Sequence, residues 1–155
     1  MDQHKRTEYV ERLARVMEEQ GEARITGRIY GHLVTATEPH ISLQQLADQL
    51  QVSKGSVSTN TRRLLDMQLI ERVPVPGSRQ EHYAVRPDGV RGMVERAAHA
   101  SRLMAAMMQE GLDLQPRVVS AGTANLRALK AFYETMALDL DKQLGRAEVA
   151  RKAAR

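Results

Sequence analysis

Ile41-Ser42-Leu43-Gln44-Gln45-Leu46-Ala47-Asp48-Gln49-Leu50-Gln51-Val52-Ser53-Lys54-Gly55-Ser56-Val57-Ser58-Thr59-Asn60-Thr61-Arg62-Arg63-Leu64-Leu65 is the stretch whose reading decides the fold. Ser42 followed three residues later by Gln45 is a capping-box pattern, and Ile41 and Leu46 stand where a hydrophobic staple stands. Leu43, Leu46, Ala47 and Leu50 then recur at helical spacing, which predicts a short amphipathic helix. Gln51-Val52 breaks it. Ser53 is a second N-cap candidate, opening a helix through Met67.

The second helix divides its residues unusually. Val57, Thr61, Leu64 and Leu65 share one side. Gly55, Ser56, Ser58, Thr59, Arg62 and, at the margin, Arg63 share the other. A merely solvated face would carry Glu, Lys, Gln and Ala, because Ser, Thr and Gly lower helicity. Small side chains instead permit close approach to another surface. Hydroxyls and the amide-rich helix N-terminus suit phosphates and base edges. After this helix, Ile70 to Val75 and Glu81 to Val85 are β-prone runs flanking Pro76-Gly77-Ser78-Arg79-Gln80. That predicts a hairpin with a basic tip. Helix, turn, helix and hairpin make a winged helix-turn-helix, with the Ser53 helix suited to the major groove.

The rest of the chain reads as helices around this unit. Thr7 to Gln20 carries an apolar stripe of Tyr9, Val10, Leu13, Val16 and Met17, and Gly21 ends it. Glu22 to Thr37 is a second helix, in which Gly27 and Gly31 permit another element to pack closely. Arg24 and Arg28 on it are as well suited to ion pairs as to phosphate. Glu38-Pro39-His40 is the stop. Val90 to Glu110 predicts a long helix closed by Gly111. From Val118 a last helix carries Gly122, Leu126, Leu129, Tyr133, Met136 and Leu140 at heptad-like steps. Such a seam needs a partner, supplied by the first helix and a second copy. The expectation is a mainly α chain in three parts. Residues 1–21 form an N-terminal dimerisation helix, 22–86 the winged helix-turn-helix DNA-binding domain, and 87–155 a C-terminal helical dimerisation region. The tail with Arg146, Arg151, Lys152 and Arg155 reads as a helix end favoured by cations.

Composition narrows the function. With 23 basic and 19 acidic residues the net charge is +4, compatible with a polyanionic partner. There is no Cys, so thiolate metal sites and disulfides are excluded. The histidines His4, His32, His40, His82 and His99 have no i, i+4 pairing among them, so no metal site is expected. No nucleophile elbow or phosphate-binding Gly-Lys-Ser/Thr loop occurs, and no cofactor or enzymatic activity is expected. No apolar run approaches a membrane span, and the expected location is the cytoplasm.

Leu46-Ala47-Asp48, Gln51 to Ser58, Leu64, Leu69-Ile70 and Val75-Pro76-Gly77-Ser78-Arg79, with Ile25-Thr26-Gly27-Arg28-Ile29-Tyr30-Gly31 upstream, resemble the GbsR-like branch of the MarR superfamily of bacterial regulators. The resemblance is densest over residues 22 to 90. It implies a homodimeric transcription factor, a repressor, on an inverted-repeat operator in double-stranded DNA. The implied interface is Ser53, Lys54, Gly55, Ser56, Ser58, Thr59, Arg62 and Arg63 in the major groove, with Ser78 and Arg79 of the wing on the minor groove or backbone. It also implies a small-molecule effector, for which Met104, Met107, Met108 and Tyr30 are the pocket candidates; packing is the plainer role for the methionines. Some of that branch are tied to choline or betaine. A quaternary ammonium needs an aromatic cage, and this chain has only Tyr9, Tyr30, Tyr83, Tyr133 and Phe132. The competing expectation is a winged-helix protein-interaction module without DNA binding. The small face from Gly55 to Thr59 argues against it, since protein interfaces favour aromatic anchors.

Overall fold

The computed structural model describes residues 2–115 and 120–153. The expected start of the last helix at Val118, and the tail residue Arg155, lie outside the described residues. The chain divides into two compact units, 1–90 and 91–155.

The first unit contains α1 (Gln3–Glu19), α2 (Arg24–Val34), β1 (Ile41–Ser42), α3 (Leu43–Leu50), α4 (Lys54–Asp66), β2 (Ile70–Val73) and β3 (His82–Val85). The capping box at Ser42 forms as its residues predict. The Ser42 hydroxyl accepts from the Gln45 amide at 3.2 Å, and the Gln45 side chain accepts from the Ser42 amide at 2.9 Å. α3 ends on Gln51 in the left-handed region, φ 54°. β2 and β3 form the antiparallel hairpin, with Ile70 opposite Val85 and Val73 opposite His82. β1 adds a third strand on the other edge of β3, pairing Ile41 with Tyr83. That strand is absent from the sequence reading, because two residues are too few for an alternation pattern.

The core joins Ile29 and Leu33 of α2, Leu46 and Leu50 of α3, Val57 and Leu64 of α4, and Ile70 and Tyr83 of the sheet. α1 lies against α2, burying Val10, Ala14 and Met17. The two glycines of α2 make this approach possible. A Cβ on Gly27 would stand 2.6 Å from the Ala14 Cα, and one on Gly31 would stand 3.3 Å from the Val10 Cα. Arg6 of α1 adds hydrogen bonds to the Thr35 hydroxyl and the His32 carbonyl. Glu11 of α1 pairs with both Arg24 and Arg28, at 2.9 and 2.8 Å. The Arg24 hydrogen bond, followed by the Arg28 charge, holds the Glu11 carboxyl below the usual carboxylate range. α2 is shorter than its apolar pattern and ends on Thr35, whose hydroxyl donates to the Gly31 carbonyl at 2.8 Å.

The second unit pairs α5 (Gly89–Asp113) with α6 (Ala121–Ala153). They run antiparallel. Arg91 pairs with Glu148, Arg102 with Asp141 at 2.8 Å, and a Cβ on Gly111 would meet Leu126 at 3.3 Å. Gly111 therefore does not close α5, as its position in the sequence suggests. It stays helical and gives Leu126 room. α5 is thus a partner for part of the α6 seam within the same chain. The interior of the pair is made of small residues, Ala98, Ser101, Ala105, Thr123 and Ala137. Leu103, Met107, Leu129, Phe132 and Leu138 remain exposed. No described helix is long and apolar enough to cross a membrane.

Gly27→Ala forces the Ala14 backbone away, and overpacking of this kind costs about 1–3 kcal/mol. Urea denaturation should show that loss, whereas Gly145→Ala, with open space around it, should not. His32 is buried and shares a 2.5 Å hydrogen bond with Gln49. Burial lowers its pKa below 6.5. As pH falls, the unfolded chain takes up this proton before the folded one does. The His32 contribution is therefore complete above pH 6.5 and is lost on acidification. Wild-type protein should lose more stability than His32→Asn between pH 7.5 and 5.5.

Candidate nucleic-acid interface

α4 is held by the face it buries. Val57, Thr61 and Leu64 are fully enclosed, and the Thr61 hydroxyl donates to the Val57 carbonyl at 2.9 Å. Thr26 of α2, equally buried, donates its hydroxyl to the Asn60 side-chain oxygen at 2.7 Å. The Asn60 amide nitrogen donates to the Ser56 carbonyl at 2.7 Å. Ser53 caps the helix, its hydroxyl accepting from the Ser56 amide at 3.1 Å.

With that face inward, Gly55, Thr59 and Arg62 point outward, flanked by half-buried Ser56 and Ser58 and by exposed Arg63. Ser53 and Lys54 are exposed at the N-terminal end, and Asp66 closes the face at the other. The hydroxyls divide sharply. Those of Thr26, Ser42 and Thr61 are buried and bonded. Among the described residues those of Ser56, Ser58 and Thr59 have no side-chain partner. The same holds for the charged ends of Lys54 and Arg62.

Arg63 differs from its neighbours. Its guanidinium makes a two-pronged contact with Glu22, at 2.9 and 2.5 Å. The Arg63 hydrogen bond, ahead of its charge, lowers the Glu22 pKa. Periodicity could place Arg63 on the margin of the outer face but could not reveal a partner 41 residues away.

The wing stands on Tyr83, which is 1 % exposed and donates its hydroxyl to Glu81 at 2.8 Å. Arg72 and Glu81 form an ion pair across the hairpin at 3.0 Å. Gly77 takes φ 80° at the tip, where a side chain would be strained. The Ser78 hydroxyl accepts from the Gln80 amide at 3.1 Å and lies 3.0 Å from the His82 ring nitrogen. Arg79 is exposed and unpaired among the described residues.

Of the effector-pocket candidates, Tyr30 lies in the first unit and Met104, Met107 and Met108 in the second. Tyr30 is half-buried at the edge of the first core, where burial raises its pKa. Met104 and Met107 are exposed and Met108 half-buried on α5. A cavity of about 670 Å³ does lie between α5 and α6. Its apolar floor is Ala105, Ala106, Ala137 and Leu138, and the three methionines do not line it. Phe132 and Tyr133 form an edge-to-face pair at 5.6 Å, while Tyr83 is enclosed in the wing. Among the described residues no group of three His, Cys, Asp or Glu side chains could hold a metal ion.

Comparison with known proteins agrees with this geometry. A family model described as MarR family matches residues 33–81, which span α3, α4 and half the wing. The HTH-type transcriptional regulator MmpR5 of Mycobacterium tuberculosis (strain ATCC 25618 / H37Rv) is 30% identical over 135 residues, 85% of this chain and 82% of that protein. The chain belongs to the MarR family. A crystal structure of a transcriptional regulator matches with a TM-score of 0.73 and 27% identity, covering 93% of this chain and 98% of that one. The winged helix-turn-helix expected from the sequence is thus the fold of this chain, a member of a family of transcriptional regulators.

Replacing the α4 cap, Ser53→Ala, should cost about 0.5–2 kcal/mol. Chemical denaturation would measure this, and no loss would show that the hydroxyl does not hold the helix start.

Proposed function

We propose that this chain is a homodimeric, sequence-specific DNA-binding repressor of the GbsR-like branch, acting in the cytoplasm. The observation that carries the reading is the division of hydroxyls on α4. The helix bonds every polar group it turns inward and leaves Ser56, Ser58 and Thr59 unpartnered on a small, basic outer face. Such a face costs helicity and gains nothing from the fold, so its use lies outside the chain. Base edges and phosphates take hydroxyls, guanidinium groups and ammonium groups. In this reading Arg62 reaches a base or phosphate, and Lys54 anchors the backbone. Gly55 allows the close approach, and Ser53, Ser56, Ser58 and Thr59 line it. Arg79, with Ser78, brings the wing to the minor groove or backbone.

The dimer is supported by the apolar surface of the second unit. Leu103, Met107, Leu129, Phe132 and Leu138 are too many to leave in water on a pair of helices. α1 also carries exposed Tyr9 and Val16. Two copies joined through these terminal helices would set recognition helices about 34 to 36 Å apart on an inverted repeat. The adaptable side chains of Met104 and Met107 suit a small-molecule effector. Such an effector acts by binding one dimer geometry more tightly than another.

A mobility-shift titration at several salt concentrations tests the DNA contacts. Arg62→Ala should weaken binding to the preferred duplex much more than to a scrambled one. Arg79→Ala should lower affinity for both and reduce the salt slope by about one. An unchanged slope for Arg79→Ala would show that the wing makes no phosphate contact.

A further inference from the structure

Two polar rungs hold α4 against α2 and the segment that leads into it. Glu22 lies just ahead of Ala23, the N-cap of α2, and four residues before Thr26 in the helix. Asn60 and Arg63 are three apart on α4. The inner rung is the Thr26–Asn60 hydrogen bond at 2.7 Å, with Thr26 1 % exposed. The outer rung is the two-pronged Arg63–Glu22 contact, in which the Arg63 side chain is 56% exposed and that of Glu22 14%. Both residues on α4 are of types that read DNA. Asparagine pairs with adenine and arginine with guanine or phosphate. Here both are engaged within the chain. The Asn60 oxygen takes the Thr26 hydroxyl and its nitrogen serves the Ser56 carbonyl, while Glu22 takes the Nε–Nη2 edge of the Arg63 guanidinium, the edge that pairs side-on with a carboxylate.

We infer that Glu22 and Arg63 are positioning residues for operator recognition. They fix the rotation of α4 about its own axis without touching DNA. This rests on the DNA-binding reading above and gives Arg63 a role other than the major-groove contact that the family resemblance implies. The apolar contacts of Val57 and Leu64 hold α4 in place but are non-directional, so they tolerate a small roll of the helix. A planar guanidinium on a carboxylate is directional in two axes. Thr26–Asn60 pins the middle of the helix, and Glu22–Arg63 pins it one turn further along. Together they prevent the roll. Thr59 immediately precedes Asn60 and Arg62 immediately precedes Arg63 on α4, so a roll displaces them from base edges. The expected effect is on discrimination between sequences, and total charge attraction to DNA should be unaffected.

The test is a double-mutant cycle on the full-length protein with Glu22→Gln, Arg63→Gln and both together. Duplexes enriched by wild-type protein from a random pool supply the specific target, and a scrambled duplex of equal length supplies the nonspecific one. Melting midpoints close to wild type confirm that each variant is folded. Each of the three should lower the specific-to-nonspecific affinity ratio by a similar factor, about three- to tenfold, because they break one shared interaction. The salt slope should match wild type in all three. The inference is overturned if Arg63→Gln alone weakens both duplexes and lowers the slope by about one, which marks a phosphate contact. It is equally overturned if Glu22→Gln tightens both duplexes and steepens the slope, or if no variant changes the ratio. Wild-type protein that enriches no sequence would overturn the DNA-binding reading itself, and this inference with it.

Discussion

Burial of Val57, Thr61 and Leu64 governs what α4 can present to anything else. Each apolar side chain enclosed here contributes about 1.5–3 kcal/mol relative to exposure, and Thr61 joins them only because its hydroxyl finds the Val57 carbonyl. On a helix, fixing one face fixes its opposite. Gly55, Thr59 and Arg62 are outward because the three buried residues are inward. A charged residue at any of the three would turn the helix or unfold it, and the outer face would be lost with it. The surface chemistry is therefore downstream of the core, although the two share no residue.

The wing depends on the same core through a different anchor. Tyr83 stands in the middle strand of the sheet, between Ile41 of β1 and Arg72 of β2. Its ring is enclosed, and its hydroxyl reaches Glu81, which in turn pairs with Arg72. β1 also leads directly into the α3 capping box at Ser42. Two residue pairs, Ile41 with Tyr83 and Ser42 with His82, thus tie the start of the helix-turn-helix to the base of the hairpin.

Local chemistry made much of this legible in the sequence. Ser42–Gln45 and Ser53 announced both helix starts, and both caps form. The β-prone runs flanking Pro76-Gly77 announced the hairpin. The Gly27 and Gly31 spacing announced a close helix contact, although not that α1 would make it. What escaped was non-local. β1 is two residues long and exists only because β3 offers an edge. Gly111 reads as a helix end, yet its partner Leu126 lies across the α5–α6 pair, and the helix continues to Asp113. Arg63 reads as a marginal outer residue until Glu22 is found beside it. Of the interface, sequence periodicity sorts inward from outward residues. It cannot say which outward side chains are already engaged by a distant segment of the same chain.

Chemical protection of guanine N7 on a selected duplex tests the central claim most directly, because N7 lies in the major groove alone. The account predicts two protected patches, centred about one helical turn apart and related by a dyad. It also predicts that Thr59→Ala together with Arg62→Ala weakens them at the same positions. A complex in which every N7 stays reactive would contradict it, for then α4 does not enter the groove that its outer face is shaped to meet.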